Sequence, residues 1–76
     1  MNLQDPDITY HLSDIKEHVA QRAPLILLNH LELRADGTAI VAIEGHPTAL
    51  FVEDSVKEAA QKCKQRVQEI YLNLCN

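Results

Sequence analysis

Apolar residues in the last third of the chain recur at spacings of three and four. Val56, Ala59, Ala60, Cys63, Val67, Ile70, Tyr71 and Leu74 form one stripe, which predicts an amphipathic helix over residues 54–74. Ser55 followed by Glu58 supplies a capping box, in which the serine oxygen takes an orphan N–H and the glutamate reaches back. No Gly or Pro interrupts the run. A shorter stripe, Ile8, Leu12, Ile15 and Val19, predicts a first helix. Asp7 offers a cap for it, and Ser13 a later start. Pro24 ends it by pushing its predecessor out of the helical region, and residues 1–6 read as a loose tail.

Between the helices the pattern changes to alternation. Residues 25–34 and 38–44 read as two strands, joined by Asp36-Gly37 in a two-residue type I′ turn. That turn sets a register in which Ala35 faces Thr38, Leu33 faces Ile40 and Leu31 faces Ala42. Leu25, Leu27, Leu31, Leu33, Ile40 and Ala42 then form the core face. Gly45-His46-Pro47 makes the next turn, and residues 48–53 a short third strand. The expected fold is α+β: one domain over residues 1–76, ordered α-β-β-β-α. It has a three-stranded antiparallel sheet with both helices on one face.

In that register the opposite sheet face carries Ile26, Leu28, Val41 and Ile43 beside His30, Glu32 and Arg34. Four large aliphatics on an uncovered face predict a contact site. Leu72, on the polar side of the last helix, extends the expectation to that helix's end. Ile26, Leu28, Val41, Ile43 and Leu72 are therefore the expected protein interface.

Size and composition support association. A chain of 76 residues with no Trp, one Phe and two Tyr has a small aliphatic core, and such domains gain stability by pairing. The net charge of −4 is uneven. Up to residue 54 nine acids face three bases, whereas beyond it Lys57, Lys62, Lys64 and Arg66 outnumber Glu58 and Glu69. An acidic body argues against non-specific nucleic-acid binding, which needs clustered cations. The four C-terminal cations form the alternative, a nucleic-acid-binding helix face. Cys63 and Cys75, twelve positions apart on one helix, lie beyond disulfide reach. With no signal peptide and no apolar run of membrane-spanning length, they point to a cytoplasmic protein.

Candidate chemistry is sparse. His11 and His18 are seven apart on a helix, roughly 10 Å, too far to share a metal unaided. His30 falls on a strand and His46 in a turn, and all four histidines read as polar surface residues. Ser13 and Ser55 have capping roles, Cys63 lies on the core stripe, and Gly37 and Gly45 do not make a phosphate-binding loop. No catalytic, cofactor or metal residue is assigned.

The Asp36-Gly37 hairpin, the Gly45-His46-Pro47 turn and the run Glu53-Asp54-Ser55-Val56-Lys57-Glu58-Ala59-Ala60 resemble the small antitoxins of the HicB type over residues 33–71. That resemblance implies a dimeric, protein-binding regulator. The chain departs from it by a helix before the first strand and by lacking a separate DNA-binding segment. The element order also resembles the double-stranded-RNA-binding domain. That family carries a basic cluster at the start of its last helix and a histidine in its first hairpin loop. Here Asp54-Ser55-Val56-Lys57-Glu58 and Ala35-Asp36-Gly37-Thr38 stand in those places. The expectation is a non-enzymatic, self-associating interaction or regulatory module that binds a protein partner, with no cofactor and no membrane contact.

Overall fold

The computed structural model describes residues 5–75 and has the element order α1 (Pro6–Arg22), β1 (Leu28–Leu33), β2 (Thr38–Ile43), β3 (Ala49–Val52) and α2 (Val56–Cys75). Both strand pairs are antiparallel, in the order β1-β2-β3. A single cluster joins Ile15 and Val19 of α1, Leu33, Ala39, Val41 and Ile43 of the sheet, and Val56, Ala59, Ala60, Cys63, Val67 and Ile70 of α2. Both helices thus cover one face of the sheet. Truncating a side chain such as Ile15, with 0% exposure, to Ala costs about 2–5 kcal/mol.

α1 starts earlier than either expected cap. The Asp5 carboxylate accepts the Asp7 N–H at 2.9 Å, and Pro6 opens the helix, where a missing N–H costs nothing. Residues 5 and 6 therefore belong to the helix start; the rest of the expected tail, residues 1–4, lies outside the described residues. At the start of α2 the Glu58 N–H donates to Ser55 Oγ at 3.2 Å, as expected. The Glu58 carboxylate, however, accepts from the Ser55 hydroxyl at 3.3 Å instead of from the backbone N–H that the reciprocal half of a capping box uses. A second tie joins the helices: Lys64 Nζ lies 2.8 Å from Asp14 Oδ2.

The β1–β2 register corrects the expected one by a single residue. Leu33 pairs with Ala39, Glu32 with Ile40, Leu31 with Val41 and His30 with Ala42. The loop holds three residues rather than two. Gly37 N–H donates to the Arg34 carbonyl, and Arg34 N–H to the Thr38 carbonyl. Within the loop only Gly37 has positive φ, at +91°, which gives a type I turn followed by a glycine bulge. Asp36 avoids the positive φ of a type I′ turn, and its carboxylate accepts the Thr38 N–H at 3.0 Å.

A one-residue slip reverses the faces of a strand. Val41 and Ile43, expected outside, are 1% and 4% exposed on the core side. Ile26 is buried before β1, and Leu28 packs against the core, aided by a register break that leaves Asn29 as the extra residue. Leu25 and Leu27, expected inside, are exposed, and β1 begins only at Leu28. Leu74 also turns out exposed although it lies on the expected stripe.

Candidate functional site

With the register corrected, the uncovered sheet face has different occupants. Residues paired across antiparallel strands share a face. His30 and Ala42 form one row, Glu32, Ile40 and Leu50 the next, and Thr38 and Val52 the last. Leu50 is 63% and Val52 72% exposed, beside the half-buried Ile40 and Ala42. The face is thus divided, with an aliphatic stripe along β2 and β3 and a charged stripe along β1. In the charged stripe Glu32 accepts from Arg34 Nε and lies 3.2 Å from His30 Nε2. The Arg34 hydrogen bond, followed by that of His30, holds the Glu32 carboxyl below its ordinary value.

β3 is also an edge strand, and its parity decides what the edge offers. Glu53 N–H donates to the Gly37 carbonyl at 2.9 Å. Hydrogen-bonded pairs alternate along an antiparallel ladder, so Phe51 and Ala49 share their backbone groups with Ala39 and Val41. The backbone N–H and C=O of Leu50 and Val52 consequently point away from the sheet. The same two residues present aliphatic side chains to the outer face and, among the described residues, unpaired amides to the edge.

Of the expected interface residues, only Leu72 lies on the surface, 54% exposed near the end of α2. Exposed Leu25, Leu27 and Leu74 gather at the same end, around a shallow depression that His46 also lines. Leu50 and Val52 were not expected on a contact face, because a four-residue strand carries little alternation of its own. The available signal was Phe51, the lone phenylalanine: once it turns inward, its two neighbours must turn outward.

The four C-terminal cations do not form one surface. Lys64 is engaged with Asp14 on the α1 side, and Arg66 donates to the Pro47 carbonyl at 3.3 Å on the β3 side. Lys62 lies with Arg66, and Lys57 sits exposed in the first turn of α2. His11 and His18 are half-buried rather than surface residues, and His11 Nδ1 and His18 Nε2 have no hydrogen-bond partner among the described residues. Among the described residues no three His, Cys, Asp or Glu side chains converge on a metal position. Burial pushes the Cys63 thiol up to about 11, opposite to what a nucleophilic cysteine needs. No described helix is long and apolar enough to cross a membrane.

Comparison of the chain with protein-family models, curated proteins and solved structures finds no match.

Proposed function

We propose that this protein is a non-enzymatic, self-associating protein-interaction module whose contact surface is the outer sheet face at β3. The observation that carries this reading is the joint exposure of Leu50 and Val52 on a strand with an unpaired edge. Natural edge strands are blunted by short length, charge, proline or a bulge. β3 is short, at four residues, but Ala49-Leu50-Phe51-Val52 contains no charged residue and no proline, and its register against β2 is unbroken. The acidic front of the chain adds long-range attraction for a basic partner.

Native mass spectrometry of gently purified protein tests the reading. The wild type is expected to carry a second protein molecule, its own or another, and Val52→Lys to lose it while remaining folded. A wild type that stays alone at low salt, or an association indifferent to Val52→Lys, would overturn it.

A further inference from the structure

We infer that the occupant of this edge is a second copy of the same chain, paired antiparallel along β3 to make one continuous six-stranded sheet. This deepens the reading of β3 as a contact surface and rests on it. An antiparallel edge is self-complementary under a two-fold axis, because each unpaired N–H meets a carbonyl of the other copy. With the axis close to Leu50, Leu50 faces its own counterpart and Val52 lies opposite the other copy's Thr48. Four exposed aliphatic side chains then join on the outer face, removing from water the surface that a monomer leaves open.

The helix side of the edge supplies the second argument, charge complementarity. Beside Ala49 and Phe51, α2 presents Lys62, Arg66 and Glu69 along one groove. Arg66 is held by the Pro47 carbonyl, but neither Lys62 nor Glu69 has an ion-pair partner among the described residues. They are seven residues apart, about 10 Å along the helix. The two-fold axis runs their helices in opposite directions, which brings Lys62 of one copy toward Glu69 of the other, twice per dimer. Gln65 and Arg66, midway between them in sequence, both fall near the axis, where each Arg66 is held by the Pro47 carbonyl of its own copy. A parallel arrangement, or docking of an unrelated basic segment, would leave Lys62 uncompensated.

A charge swap followed by sedimentation equilibrium tests the inference. Lys62→Glu and Glu69→Lys are surface changes expected to leave the circular dichroism spectrum unaltered. Each should weaken dimerisation about tenfold by replacing two attractions with two repulsions. The double variant should restore it. Independently, Leu50→Cys in a Cys75→Ser background should form a covalent dimer in air, because facing Cα atoms in such a pair lie about 5.5 Å apart. Tyr10→Cys in the same background, exposed but distant on α1, should not. A wild type that is monomeric throughout overturns the inference; a retained foreign protein lost on Val52→Lys would still uphold the contact reading. A dimer unaffected by either single swap also overturns it. In that case the response to Val52→Lys decides separately whether the outer face is a contact surface.

Discussion

Gly37 and Glu53 meet backbone to backbone. The Gly37 carbonyl accepts the Glu53 N–H at 2.9 Å, and a Cβ added at Gly37 would lie 2.1 Å from the Glu53 carbonyl oxygen. The hairpin loop and the approach to α2 are therefore locked together at a position where only hydrogen fits. Gly37 also holds φ at +91°. Gly37→Ala is expected to cost on the order of 3 kcal/mol or more, from left-handed strain plus displacement of backbone. Gly45 has φ +83° but nothing within 4 Å, so Gly45→Ala should cost only about 1–2 kcal/mol. Urea unfolding of the two variants makes the comparison, and equal losses would refute the close approach.

The corrected register separates two lysine substitutions that the alternation of β2 and β3 alone treats alike. Val41→Lys places an ammonium in the core and should abolish cooperative folding, since an unpaired buried charge exceeds the margin of a domain this small. Val52→Lys should fold cooperatively, losing only the share of stability that association adds at the protein concentration used. Circular dichroism with thermal melts reads both. A folded Val41→Lys protein would show that the β2 register is wrong.

The Asp14–Lys64 pair links the two helices and gives stability an acid limit. The hydrogen bond from Lys64 holds the Asp14 carboxyl below its ordinary value of 3.8. Its folded pKa lies under its unfolded one. The contribution is therefore complete above the unfolded value and disappears as pH falls through the folded value. Glu32 and Asp36 are lowered in the same sense, by Arg34 and by Thr38 respectively. Urea midpoints should fall steeply with acid below about pH 4, and Lys64→Met should flatten part of that slope. An unchanged slope in the variant would mean that the pair does not persist in solution.

The cysteines should differ sharply in reactivity. Cys75 is exposed, whereas Cys63 is buried with its thiol near 11. Under native conditions a chromogenic disulfide reagent should titrate one thiol promptly and the second only at the rate of opening or unfolding. Two thiols reacting together in the folded protein would place Cys63 outside the core.

The element order was legible from the sequence because it follows from local physics. The three-and-four stripe and the Ser55–Glu58 cap define α2, Pro24 stops α1, and the turn glycines separate the strands. These are interactions between residues close along the chain, and their spacing carries the signal. The faces of the sheet were not legible. Asp36-Gly37 accommodates either a two-residue or a three-residue loop, and the choice between them shifts β2 by one position. That choice depends on the Asp36 bond to Thr38, the closeness of Gly37 to Glu53, and the burial of Val41 and Ile43 beneath the helices. Two of those three involve residues distant in sequence. The sequence by itself determined that the chain is an α-β-β-β-α domain with an aliphatic core. Only the tertiary packing decided that Leu50 and Val52, rather than Val41 and Ile43, face outward. A side-chain period of two makes every face assignment hinge on a single residue of register.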